Sequence, residues 1–344
     1  MDFLFLLFLP CILWKMKYCK NGFHENFLSV GSTRALRGIM AVLILFHHLC
    51  QRLEGVRVMF FLDNVAILCV TAFFFLSGYG LHKSYCEKAG YSSKILRNRI
   101  PSVLIPYLGL IAIYWGYSFA EEQPYTLAEV LVSLVNGRPV VSFSWYILAI
   151  LVLYFSYWIS TLLFRPGHLG MVVYHFGFIL LWVPFCRILG WEYYWYYSII
   201  GFPLGILWAA EGQRFMVFLQ KRYMRFLIGS FVLFGGLFVA AIKTTVGIDV
   251  VVPLFWATCC AFLLFMLLVL MKFSFQNRIL LFLGDISFEI YGLQGLFIRL
   301  LRSNLCYIEN DTLWCFAVST ATVGCAWAMH GLFRKLLSMK KQVQ

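Results

Sequence analysis

Arg34-Ala-Leu-Arg37-Gly-Ile-Met-Ala-Val-Leu-Ile-Leu-Phe-His47-His48-Leu49 is an apolar run with two arginines at its start and two adjacent histidines further along. At about 100° per residue, the steps from Arg37 to His48 turn a helix through about 1100°, roughly three turns and 20°, so both side chains share one face. The rise over those steps is about 16 Å, roughly half of a ~30 Å hydrocarbon core. The spacing predicts a cation at the mouth of a membrane helix in line with a base at mid-membrane. His47 points about 100° away, toward a neighbouring helix or lipid. Ionisable groups at bilayer depth are costly, so they are expected to face a protein interior or wet cavity and to have a task there.

The remainder of the chain agrees with a membrane setting. Of 344 residues, 62% are hydrophobic and 12% charged, against ~25% charged in a soluble domain, and the mean hydropathy is +0.82. These values exclude a soluble globular protein and predict an all-α, polytopic membrane helix bundle. The net charge of +13 does not imply nucleic acid, because the basic residues form short clusters between apolar spans and no stripe or tail. Eleven cysteines show neither a CxxC pair nor Cys/His spacing suited to zinc, so they read as small apolar helix residues and no metal is expected. Aromatic runs such as Trp191-Glu-Tyr-Tyr-Trp-Tyr-Tyr197 fit interfacial belts.

Ten spans are expected at 34–50, 64–82, 100–120, 143–164, 169–187, 193–210, 226–242, 250–272, 282–300 and 312–333. Phe3 to Trp14 is apolar but short and interrupted by Pro10, which reads as a marginal extra helix or an extension upstream of a start at Met16. If the Arg34 end is cytoplasmic, 21 of the 28 Lys and Arg residues fall inside and seven outside, a threefold bias that favours this orientation with a cytoplasmic C-terminus. The outer connection from Glu121 to Ser142 holds Leu127 to Val135, a candidate re-entrant or interfacial helix.

Several motifs lie on these spans. Phe73-Phe-Phe-Leu-Ser77-Gly78-Tyr79-Gly80 sets bulky rings beside small residues that allow close approach of a helix backbone or a ligand. Lys94-Ile-Leu-Arg97-Asn-Arg99-Ile-Pro101 is a basic cluster running into a helix with Pro101 near its first turn, suited to holding phosphates or to orienting the span. Trp145-Tyr146 reads as an interface anchor. In Gly284-Asp-Ile-Ser287-Phe-Glu289-Ile-Tyr291-Gly-Leu-Gln294, the carboxyl of Glu289 needs a partner, for which Arg34, Arg37 or a histidine is open. His330 reads as a surface-proximal histidine.

Taken in order, these motifs resemble those of the acyltransferase 3 family of ten-span bacterial membrane O-acyltransferases, from about Ser32 onward. The resemblance implies transfer of an acyl group, usually acetyl from cytoplasmic acetyl-CoA, to a hydroxyl of a cell-surface glycan or lipid-linked saccharide. It makes His48 the expected catalytic residue with His47 second; the need of a buried carboxyl for a partner makes Glu289 the candidate partner of His48. It makes Arg37, then Arg34, Arg97 and Arg99, the expected donor-binding residues, joined by Ser77 and Tyr291. Two departures stand out: Ser102 replaces a second basic residue of the third span, with Arg97 as its expected substitute, and Gln294 replaces a histidine. The implied organisation is a hydrophobic extension and basic linker over 1–31, an acyltransferase 3 membrane domain over 32–336 and a cytoplasmic tail over 337–344. The expected partners are acyl-CoA, the saccharide acceptor and membrane lipids, in the cell membrane.

Neutral His48 would act as general base on the acceptor hydroxyl, a contribution of roughly 10²–10⁴-fold. A covalent acyl-His intermediate is open on sequence grounds. Three other readings compete. An intramembrane histidine pair alone equally suits an interhelical hydrogen bond, a saccharide transporter or flippase would line a path with charged residues, and a non-catalytic scaffold would leave the alignment of Arg37 with His48 unexplained.

Overall fold

Each apolar run closes its backbone hydrogen bonds within itself, as a bilayer requires, and helices account for 77% of the described residues. In chain order they are α1 (Asp2–Leu13), α2 (Val30–Cys50), α3 (Val65–Glu87), α4 (Ser92–Ala120), α5 (Leu127–Val135), α6 (Trp145–Leu163) and α7 (Gly170–Ile188). There follow α8 (Tyr194–Tyr197), α9 (Gly201–Gln220), α10 (Tyr223–Lys243), α11 (Ile248–Lys272), α12 (Arg278–Asp285), α13 (Ser287–Leu300) and α14 (Asp311–Gln342). The computed structural model describes residues 2–54, 60–244 and 248–342; Arg57 of the outer charge count and the last two residues of the expected tail lie outside them.

Among the described residues, eight helices are long and apolar enough to cross a membrane, or nine if α12 and α13, bent by 71° at their junction, form one span. The count of ten is therefore not reproduced. The sixth expected span, 193–210, is divided between α8 and α9, and α9 runs on through Glu211, Gln213 and Arg214. Helix α14 continues into the expected tail as far as Gln342. The outer connection does contain the helix α5, closed by a capping box in which Thr126 and Glu129 each bond the other's backbone. The N-terminal segment packs on the bundle: Leu4 and Phe8 are buried, Phe8 meets Phe46 edge-on, and Asn277 donates to the carbonyls of Cys11 and Trp14. Lys17–Tyr18 (β1) pairs antiparallel with Phe273–Ser274 (β2), which ties the following linker to the end of α11.

Glycines bring the central helices together. A Cβ on Gly78 of α3 would strike the Phe202 carbonyl of α9, and one on Gly205 of α9 would strike the Phe75 carbonyl. This is the small-residue contact that lets membrane helices approach backbone to backbone. A Cβ on Gly284 would strike the Arg34 carbonyl, so α12 lies directly against the first turns of α2. Gly80, by contrast, has open space around it.

Ser29 caps α2, accepting from the Ser32 amide at 3.3 Å, and the helix ends at Cys50, so His48 stands in its last turn. One expectation of position changes. Helix α4 begins at Ser92, so Lys94, Arg97 and Arg99 lie within it and Pro101 is interior. Burial also reassigns much of the aromatic run: Trp195, Tyr196 and Tyr197 are core residues, while Tyr193 is exposed.

Candidate active site

Two cavities lie at opposite ends of α2. One, of about 530 Å³, is lined by Arg37, Ser77, Lys83, Lys88, Arg99 and Tyr291, among others. The second, of about 480 Å³, is lined by His47, His48, Gln51, Phe143, Trp145 and again Tyr291. The wall between them is aromatic. Tyr146, which faces the Arg37 cavity, packs edge-on against Tyr291 at 5.7 Å, and its hydroxyl lies 3.5 Å from Ser77 Oγ. The Tyr291 hydroxyl donates to the carbonyl of Phe143.

The tautomers of both histidines follow from one carbonyl. His47 Nδ1 lies 3.0 Å from the Leu62 carbonyl oxygen, which can only accept, so Nδ1 carries the proton and Nε2 is an acceptor. Gln51 Nε2 donates to that Nε2 at 3.0 Å, which turns the amide oxygen toward His48. His48 Nδ1 then donates to Gln51 Oε1 at 3.1 Å. The lone pair of His48 is left on Nε2, the form a general base needs. Gln51 lies three and four residues beyond the histidines, on the same helical face, which is the signal that the sequence carried for it.

Phe143 holds the other side of the imidazole, its ring stacked on His48 at 3.6 Å and 12°. It does so from a left-handed backbone, φ 65°, which is strained for a bulky side chain. Its loop is braced by tryptophans: Trp195 donates to the Gly137 carbonyl and Trp191 to that of Val135, both at 2.9 Å. On the opposite side, a Cβ on Gly295 of α13 would meet Ser142. Nothing in the sequence singles out Phe143, because its role depends on a backbone angle that such a residue rarely adopts.

In the other cavity, Arg37 Nε is buried without a hydrogen-bond partner among the described residues, an unmet demand for an acceptor. Arg99 Nε donates to the Tyr91 hydroxyl at 3.0 Å. Lys83 and Lys88 from the end of α3 add positive charge that the motif reading did not assign, with Glu87 3.9 Å from Lys83. Such a set suits phosphate groups.

Three expected residues stand elsewhere. Arg34 pairs with Asp285 at 3.3 Å where α2 meets α12, and it does not line the Arg37 cavity. Arg97 is exposed on α4 and lines neither cavity. Glu289 is buried and bonded to His330 Nδ1 at 2.9 Å, so its partner lies on α14 and it does not reach His48. His330 is correspondingly a half-buried partner of that carboxyl and not a surface group.

The model of a known family, described as an acyltransferase domain, matches residues 31–331. No curated protein and no solved structure matches the chain.

Proposed function

From the premise that this chain belongs to the acyltransferase 3 family and is a membrane acyltransferase, we infer that it moves an acetyl group from acetyl-CoA to a hydroxyl of a cell-surface or lipid-linked saccharide. The protein sits in the cell membrane with the Arg37 end and the C-terminus toward the cytoplasm. The nucleotide end of the donor docks against Arg37, Arg99, Lys83 and Lys88, and its arm runs along α2 to the wall formed by Tyr146 and Tyr291. The saccharide enters the His48 cavity from the opposite side.

There His48 Nε2 takes the proton of the acceptor hydroxyl as the oxygen attacks the thioester carbonyl. Collapse of the tetrahedral adduct breaks the C–S bond, the acyl group leaves on the saccharide oxygen, and the thiolate recovers the proton from His48. Gln51 and Phe143 hold the imidazole so that Nε2 alone faces the hydroxyl.

The observation that carries this reading is Tyr291, one side chain that lines both the cationic cavity and the histidine cavity. The test is mass spectrometry of surface saccharides from cells with and without the protein. A mass increase of one acetyl group, present only with the protein, is expected; identical saccharides in both cell types would overturn the reading.

A further inference from the structure

Seven of the Lys and Arg residues fall on the outer side of the charge count, at span ends or in the loops between them: Arg52, Arg57, Arg138, Arg187, Lys243, Arg299 and Arg302. The positive-inside tendency depletes such loops of basic residues, so where the survivors gather is informative. Arg52, Arg138 and Arg299 line the His48 cavity itself. Arg302 lines the adjoining cavity, which Arg52 and Arg299 share. Among the described residues, the acidic side chain lining the His48 cavity is Asp63.

The four arginines are not equivalent. Arg138 is bound to Glu192 at 2.7 Å. Arg302 is paired with Asp311, and its guanidinium lies over Trp314 at 4.2 Å. Glu121, in the adjoining cavity, accepts from the Tyr117 hydroxyl at 2.5 Å. Arg52 and Arg299 remain, each lining both cavities and each exposed, one following α2 and the other in the last turn of α13. Behind them Trp145, Tyr193 and Tyr194 offer aromatic faces to the same space. Rings of this kind suit the apolar C–H face of a sugar, and the two guanidinium forks suit a carboxylate or phosphate.

We propose that the acceptor is an anionic saccharide, its acidic group held by Arg52 and Arg299 while a nearby hydroxyl faces His48. The proposal rests on the acyl-transfer reading of the same cavity and adds the substrate class. The acidic group can be a sugar carboxylate or the diphosphate of a lipid-linked saccharide, and the experiment separates the two.

Full-length protein in phosphatidylcholine nanodiscs is titrated calorimetrically with a uronic-acid trisaccharide, with its carboxyl-reduced neutral counterpart, and with a short-chain prenyl diphosphate monosaccharide. Acetyl transfer to each is measured in parallel. At least one anionic probe should bind more than about tenfold tighter than the neutral one, since charge-assisted bonds carry the difference. The better anionic probe identifies the source of the charge. The preference should fall in Arg52→Gln and Arg299→Gln and weaken at about 0.5 M salt. Equal binding of all three probes, or a preference unchanged in the Arg52→Gln/Arg299→Gln double variant, overturns the proposal. Acetylation of the neutral trisaccharide as fast as the anionic ones would also overturn it, while leaving acyl transfer standing. Tight anion binding with no acetyl transfer to any probe would uphold the site and refute the acyl-transfer reading.

Discussion

His48 Nδ1 lies 3.1 Å from the amide oxygen of Gln51, one turn further along the same chain, and that bond leaves Nε2 as the basic nitrogen. Because the amide is oriented in turn by His47 and the Leu62 carbonyl, Gln51→Leu should leave His47 held by that carbonyl and release the His48 ring from its fixed tautomer and orientation. Misplacement of a reacting group by about 1 Å costs on the order of 100-fold. Steady-state kinetics should show kcat lowered by roughly ten- to a hundredfold with the KM for acetyl-CoA unchanged. Gln51→Glu, which keeps an oxygen opposite His48 Nδ1, should retain more turnover than Gln51→Leu; equal loss in both would remove Gln51 from the account.

Phe143 combines a left-handed backbone with the ring that stacks on His48. A strained position of this kind costs roughly 1–3 kcal/mol, and Gly relieves it. Phe143→Gly should therefore lower turnover by about tenfold without lowering the thermal midpoint in detergent by more than a degree or so, because strain relief offsets lost packing. A large fall in stability with normal turnover would show that the ring serves packing alone.

Much of this arrangement was legible in the sequence, and the rest was hidden for identifiable reasons. The common face of Arg37 and His48 follows from helical period alone, and both line cavities. The cluster Ser77-Gly78-Tyr79-Gly80 was ambiguous between packing and ligand approach because the answer depends on what crosses it. The structure divides the cluster: Gly78 touches α9, whereas Ser77, Tyr79 and Gly80 line the Arg37 cavity. The pairing of Glu289 with His330 joins α13 to α14. No local pattern encodes that contact, and the appeal of His48 as a partner came from chemistry without distance. The break between α8 and α9 was missed because hydropathy continues across it.

That division gives a paired test. Gly78→Ala should destabilise the protein by about 1–3 kcal/mol, the usual cost of overpacking, since its Cβ meets a backbone carbonyl that cannot swing aside. Gly80→Ala has open space and should leave the thermal midpoint unchanged. Unfolding of both variants in the same detergent decides the matter, and equal effects would count against the close α3–α9 contact.

The two arginines of α4 should separate in donor affinity. Arg99 lines the cationic cavity and Arg97 is exposed outside it. A charge-assisted hydrogen bond contributes about 1.5–3 kcal/mol, so Arg99→Gln should raise the KM for acetyl-CoA by about ten- to a hundredfold, while Arg97→Gln should change it by less than about twofold. The reverse ranking would place the nucleotide end of the donor elsewhere.

The most direct measurement of the central claim is release of free thiol from acetyl-CoA by the purified protein in lipid vesicles, with and without a saccharide acceptor, compared with His48→Ala. The account predicts acceptor-dependent thiol release and acetylated saccharide with the wild-type protein. It predicts loss of both by at least about 100-fold in a His48→Ala variant that remains folded and inserted. Wild-type turnover in that variant would contradict the account, as would saccharide crossing the vesicle membrane unmodified.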